Sequence, residues 1–314
     1  MVGWAYSGNV DAILMMSSTN APVALFVYNR PLHLQRVVES LQKNFGAEQT
    51  DLYIFSDGPK DDAARDRVVA VRKYVRTISG FRSVNITEHE ENRGLANSII
   101  SGVSALCEVV GRVIVLEDDL VTSPYFLSFM NAGLERYAED RRVASVLGYS
   151  LPLRIALPET YFVRGADCYG WATWRRAWDL FEVDGQRLLN ELERTGLSET
   201  LDMRGALAFT QMLRDQIVGR NHSWAVRWHV SMFLRNMLTL TPGRSLIINI
   251  GADGSGTNFG SETLLDTCLT DSPVKVGDIS VEEHLDARAE TERYYRSYKS
   301  LRARLRRRIH RMFY

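Results

Sequence analysis

Three consecutive carboxylates, Glu117-Asp118-Asp119, follow directly on the apolar run Val113-Ile114-Val115-Leu116. Acids at neighbouring positions repel one another, so the cluster is costly unless a cation or hydrogen-bond donors offset its charge. A divalent metal is the economical solution, because Mn2+ and Mg2+ take oxygen ligands and bridge protein carboxylates to phosphate oxygens. The plainer alternative is a solvated turn that caps a following helix, since Ser123-Pro124 is a respectable helix start. Other apolar runs also stop at polar groups. Asp57-Gly58-Pro59 ends one, where a carboxylate can accept hydrogen bonds from a base or ribose, or can form an ordinary Asp-Gly turn. Arg30 ends another and suits either a phosphate or base contact or a simple Asn-Arg-Pro turn. Arg93, in Asn92-Arg93-Gly94-Leu95, carries the same two readings.

The elements that must hold these groups alternate from Pro22 to Leu147. Val23 to Tyr28 reads as a strand buried on both faces, and Leu34, Val37, Val38 and Leu41 then recur at helical spacing. The same succession continues with Leu52 to Phe55, a helix through Val68, Val71 and Val75, the run Val84 to Thr87, and a helix from about Ala96 to Glu108. This is the grammar of an α/β sheet with crossover helices. Open sheets of that kind bind ligands outside the carboxyl ends of their strands, which is where Arg30, Asp57 and the acidic triplet fall. Beyond Val146 the pattern changes to aromatic loops, a helical stretch around Gln186 to Gly219, and a strand-like run from Ser245 to Ile250 that ends in Gly251-Ala252-Asp253-Gly254-Ser255-Gly256. The last segment, from about Glu282, is helical and becomes very basic.

With 314 residues and 45% hydrophobic content, the chain can bury a large core as one domain or two fused subdomains. Lys plus Arg equals Asp plus Glu at 38 each, so no nucleic-acid partner is expected. Cys107, Cys168 and Cys268 fit neither a disulfide framework nor zinc-ligand spacing, which predicts a reducing, cytoplasmic setting. The apolar stretch from Ala12 to Met16 lacks a basic flank and falls far short of the roughly 18 residues a spanning helix needs. Neither secretion nor membrane spanning is expected, and the first residues read as an N-terminal extension.

Four of these motifs carry a resemblance. Tyr28-Asn29-Arg30-Pro31, Ser56-Asp57-Gly58, Asn92-Arg93-Gly94 and above all Val115 to Phe126, with the triplet and its Ser-Pro-aromatic tail, resemble GT-A glycosyltransferases related to N-acetylglucosaminyltransferase I. Tyr169-Gly170-Trp171-Ala172-Thr173-Trp174 is similar to the corresponding bacterial group, and the resemblance covers roughly residues 22 to 260. It implies a GT-A, Rossmann-like fold: a mixed, mostly parallel sheet flanked by helices, with a C-terminal helical extension. With the residue pattern it divides the chain into an N-terminal extension at 1–21, a nucleotide-sugar-binding half at 22–150, an acceptor-side half at 151–260 and a helical basic extension at 261–314. By the same resemblance Asp119 binds the metal, Asp118 and Glu117 face the ribose and sugar of the donor, Asp57 meets the nucleobase, and Arg30 belongs to the nucleotide pocket. Inverting transfer from a nucleotide sugar, expected to be a UDP-sugar, to a glycan or lipid-linked acceptor of polysaccharide biosynthesis would follow, with Mn2+ or Mg2+ stabilising the departing diphosphate.

The catalytic base departs from the family pattern, because Trp224 is followed by Ala225 and Val226 rather than by an aspartate. Asp167 is the preferred substitute and Asp253 the second. Asn258 stands where bacterial relatives often carry a histidine, which leaves a second protein ligand to the metal unassigned. Trp171, beside Gly170, is expected at the sugar-facing wall, whereas Trp174 and Trp178, four apart, are expected in the core. His222 and His229 show no ligand spacing and read as structural or surface residues. Tyr298, Leu301, Leu305 and Ile309 recur at helical spacing among Lys299, Arg302, Arg304, Arg306, Arg307, Arg308 and Arg311. Such a basic amphipathic helix fits either a surface helix or tail, or peripheral docking on anionic lipid at the inner face of the cytoplasmic membrane. Two rival functions stay open: a metal-dependent phosphotransfer or phosphohydrolase enzyme, and a catalytically silent glycan-binding, membrane-associated module.

Overall fold

The computed structural model describes residues 20–253 and 267–299. Strand β1 (Val23–Val27) is buried at every position, so it needs cover on both faces and lies inside a sheet. It leads into α1 (Pro31–Gln42), which opens with Pro31, the residue whose missing N–H a helix start tolerates. Leu34, Val37, Val38 and Leu41 form its buried stripe. β2 (Asp51–Ser56) is followed by α2 (Asp62–Val75), whose first turn is capped by the Asp61 carboxylate accepting from Ala64 N. β3 (Ser83–Glu88) is followed by α3 (Leu95–Val110), and Gly111, at φ 82°, closes that helix in the left-handed region. β4 (Arg112–Glu117) runs straight into the acidic triplet. The sequence periodicity of this half and the observed elements agree closely.

The second half is more interleaved. β5 (Leu120–Thr122), α4 (Phe126–Arg136), β6 (Val143–Leu147), β7 (Thr160–Arg164) and β8 (Trp171–Trp174) precede the short α5 (Arg175–Trp178). Then come α6 (Gly185–Arg194), α7 (Ser198–Leu201), α8 (Phe209–Ile217) and α9 (Trp224–Leu234), so the helical stretch expected around Gln186 to Gly219 is three helices. β9 (Leu238–Pro242), β10 (Ile247–Asn249) and α10 (Leu285–Lys299) complete the described elements. Leu188, Leu192, Leu201, Leu213, Val230 and Phe233 gather α6 to α9 into a small core of their own.

Eight strands form one sheet in the order β3-β2-β1-β4-β8-β6-β9-β7, and β5 pairs with β10 in a separate ribbon. β3, β2, β1 and β4 are parallel, β8 opposes both β4 and β6, β9 runs with β6, and β7 opposes β9. This is the mixed, mostly parallel, helix-flanked sheet with a C-terminal helix that the sequence predicts, and strands from residues 22–150 and 151–260 share it. The chain leaves β1 on one side toward β2 and β3, then returns to the other side as β4. A topological switch point therefore lies between β1 and β4.

Tyr169 to Trp174 is not an aromatic loop, because Trp171 to Trp174 form the inner strand β8. Trp171 is only 1% exposed and stacks on Trp224 at 5.5 Å, with Trp178 and Trp228 each at 5.7 Å. An indole enclosed by three others offers no face to a sugar, so Trp171 is a core residue together with Trp174 and Trp178. A four-residue strand beside a glycine shows too little alternation to be read as one.

Candidate active site

Four chain segments meet outside the carboxyl end of β4. The first is the end of β1, from which Arg30 extends as the residue before α1. The second is the triplet itself. β8 runs antiparallel to β4 and begins with Trp171 opposite Val115, so the preceding loop with Asp167, Cys168 and Tyr169 falls beside the carboxyl end of β4. The fourth segment follows β10, whose pairing puts Asn249 opposite Leu120 and lets Ile250 N donate to Asp119 O at 2.9 Å.

Arg30 is the cation of this cluster. Its Nη2 donates to Asp118 Oδ1 in a short bond and to Asp119 Oδ2 at 3.1 Å. Asp118 also accepts from Tyr28 N at 3.4 Å, which ties the ends of β1 and β4 together. Burial works against the Arg30 charge, but Asp118 and Asp119 outweigh it and hold the guanidinium pKa above its ordinary value. Burial in turn raises the Asp118 pKa against the pull of Arg30. At Glu117 burial and the Asp119 and Asp118 charges, opposed by Arg30, raise the carboxyl pKa well above the ordinary carboxylate range. Three adjacent acids need a cation to offset them, and the protein supplies one of its own in Arg30.

These residues fit a divalent ion. Two carboxylates converge on a single guanidinium nitrogen, so two hard oxygen donors already face one cationic point. Among the described residues no three His, Cys, Asp or Glu side chains group to hold an ion. Asn258 and the basic run beyond Lys299 lie outside the described residues.

Asp167 is exposed, yet desolvation by the groups around it raises its pKa. Its Oδ1 accepts from Cys168 N at 2.6 Å. Burial, with Asp167, Glu117 and Asp119 adding to it, keeps the Cys168 thiol protonated. Asp253, the second candidate base, pairs instead with His33 of α1 at 3.1 Å. Two participants were not foreseen. Tyr295 of α10 lies within electrostatic reach of Asp167 and Tyr169, and no sequence signal links residues so far apart. Gly251 packs its backbone on the ion pair, and only the Gly-rich composition of that turn hinted at it. A Cβ there would stand 2.3 Å from Asp119 Oδ2 and 3.0 Å from Arg30 Nη1.

Asp57 and Arg93 come together. The Asp57 carboxylate accepts from Gly58 N at 3.0 Å, Arg93 N at 2.8 Å and Gly94 N at 2.9 Å, so it latches the loop that starts α3. Gly94, at φ 76°, supplies the left-handed turn this needs. Arg93 thus contributes its main chain to the latch, and its side chain is exposed. A groove of about 880 Å³ between the end of α4 and residues 278–282 shares no residue with this cluster, and the Arg136–Asp278 and Arg142–Asp140 ion pairs lie within its walls.

No family model and no curated protein matches the chain. Partial likenesses to solved structures include S. aureus TarS, at 15% identity and a TM-score of 0.34 over 50% of this chain and 28% of that one. Another is the mannosyltransferase PcManGT from Pyrobaculum calidifontis in complex with GDP-Man and Mn2+, at 13% identity and a TM-score of 0.32 over 56% of this chain and 47% of that one. The chain spans less than half the length of either.

Proposed function

We propose that the chain is a metal-dependent GT-A glycosyltransferase that moves a sugar, with inversion, from a nucleotide sugar to a glycan or lipid-linked acceptor. The observation that carries this reading is the convergence of Arg30, Asp118 and Asp119 in the crevice between β1 and β4, where open α/β sheets bind nucleotides. Asp119 would hold the divalent ion, with Asp118 beside it. When bound, that ion supplies neutralisation of the departing diphosphate. Glu117, beside this pair, would face the ribose or sugar of the donor. Arg93 stands ready for the anionic or base end of the donor, and Asp57 acts there through the loop it latches. Asp167 is the proposed base, since it combines solvent access with a raised pKa beside the triplet. A UDP-sugar is the proposed donor.

The missing carboxylate after Trp224 favours one second reading, a donor-binding module without turnover. A thermal-shift screen of UDP-sugars and GDP-mannose with and without Mn2+ tests both. At a ligand concentration about 100 times Kd the true donor should stabilise the wild type by roughly 2.7 kcal/mol, and only with Mn2+. Asp119→Ala should abolish the effect, and metal-dependent stabilisation that survives this change sinks the metal role. Donor binding with no sugar transfer to any acceptor in a glycan and lipid-linked panel selects the silent module.

A further inference from the structure

We propose that Arg30 is the resident counter-ion of the acidic triplet, that a divalent cation must displace it from Asp118 and Asp119, and that the freed guanidinium then pairs with the donor's diphosphate. This rests on the glycosyltransferase reading above and assigns the order of events at its site. One guanidinium nitrogen contacts oxygens of both carboxylates. A divalent ion would need oxygens of the same pair at roughly 2.0–2.6 Å. Space decides between displacement and addition. The backbone of Gly251 packs so closely on Asp119 and Arg30 that even a Cβ would stand 2.3 Å from one and 3.0 Å from the other. Two cations side by side under that backbone would also repel one another.

What moves is the Arg30 side chain. Its main chain is fixed between β1 and Pro31, and Arg30 O accepts from Leu34 N at 3.0 Å in the first turn of α1. The guanidinium retains 16% exposure, so it has a path out toward the crevice. A diphosphate there presents the paired anionic oxygens that a guanidinium fork matches. Metal without donor therefore has to evict Arg30 with nothing to receive it, whereas metal with donor gives Arg30 a new partner. The two ligands are coupled through one side chain.

The test is Mn2+ affinity by titration calorimetry on the full chain, with and without UDP or GDP. Arg30→Gln, which removes the competitor, should bind Mn2+ about tenfold tighter than wild type without nucleotide, a coupling of ordinary size. With Mn2+ saturating, the same variant should bind the nucleoside diphosphate about tenfold more weakly. Opposite signs for the two ligands distinguish displacement from a structural role, which would weaken both or neither. Arg30→Lys, which keeps the charge but reaches one carboxylate at a time, should fall between and decides the matter if Arg30→Gln does not fold. Wild type that binds both ligands, beside folded variants with no gain in Mn2+ affinity, overturns displacement and leaves the enzyme reading intact. No Mn2+ binding by any form, with or without nucleotide, overturns both.

Discussion

Replacing His229 with phenylalanine removes a titrating ring from the floor beneath the Asp167 loop. The imidazole stacks on Phe209 at 4.4 Å, lies under Gly165, and has Nδ1 2.6 Å from Ala166 O. Burial, opposed by the Ala166 bond and assisted by the Arg288 charge, lowers its pKa from the ordinary 6.5 to about 4. Between those values the unfolded chain holds a proton that the folded protein does not, so stability is complete above pH 6.5 and falls as the pH drops toward 4. At about 1.4 kcal/mol per pH unit the full loss is roughly 3 kcal/mol, an upper figure because the ring keeps partial solvent contact. His229→Phe lacks this acid-sensitive component but leaves the Ala166 carbonyl without its partner, at a cost of about 1 kcal/mol. The variant should therefore be the less stable protein at neutral pH and the more stable one by roughly 1–2 kcal/mol near pH 4.5, with the curves crossing near pH 6. Urea unfolding followed by tryptophan fluorescence, repeated across that range, reads both stabilities. A difference between the two proteins that does not change with pH would refute the assignment.

Three further outcomes are expected. Asp57→Ala strips the acceptor from three main-chain N–H groups and should lower stability by roughly 3 kcal/mol in urea unfolding. Hydrogen exchange at Arg93 and Gly94 should quicken with it, and unchanged exchange there would rule out the latch. Gly251→Ala forces the Asp119 carboxylate to turn away, so Mn2+-dependent donor affinity should fall about tenfold while the ligand-free melting temperature moves by only a few degrees; undiminished affinity would show that Asp119 has room to yield. A chain truncated after Tyr298 loses the basic run from Lys299 to Arg311 and should bind vesicles rich in anionic lipid more weakly, by about 1 kcal/mol per basic residue removed from the surface. Equal binding by both lengths would dispose of lipid docking.

How far the sequence could be read depended on whether local pattern or distant pairing set the structure. β1 to β4 and their helices were legible because β1 and β4 are buried on both faces or nearly so, β2 alternates, and each crossover helix carries its own apolar stripe, as with Leu34, Val37, Val38 and Leu41. The switch-point position of Arg30 and the triplet followed from that. β8 was not legible, since its strand character comes from lying between β4 and β6 rather than from four residues of pattern. For the same reason its pattern does not show that Trp171 is a core residue. Asp57 shows a different gap, because its partners are the main-chain N–H groups of residues 93 and 94, and main-chain donors leave no mark on side-chain identity. The Arg30 ion pair joins two motifs about 88 positions apart in sequence, and only their proximity in space shows that one neutralises the other.

The strand order also fixes a schedule for assembly. β1 to β4 join neighbours made just before or after them, apart from the step back from β3 to β4. The other side of the sheet cannot grow in that way. β6 is held off the sheet until β8, made later, has docked on β4, and β7 has no sheet neighbour until β9 appears. The outer side of β7 then meets Glu283 through a bridge to Phe162. A nascent chain must therefore keep β6 and β7 waiting with unpaired edges, where pairing with another chain is the main hazard. The half that carries Asp167 is thus the last to consolidate, and misassembly during synthesis should strike the acceptor side of the molecule before the crevice between β1 and β4.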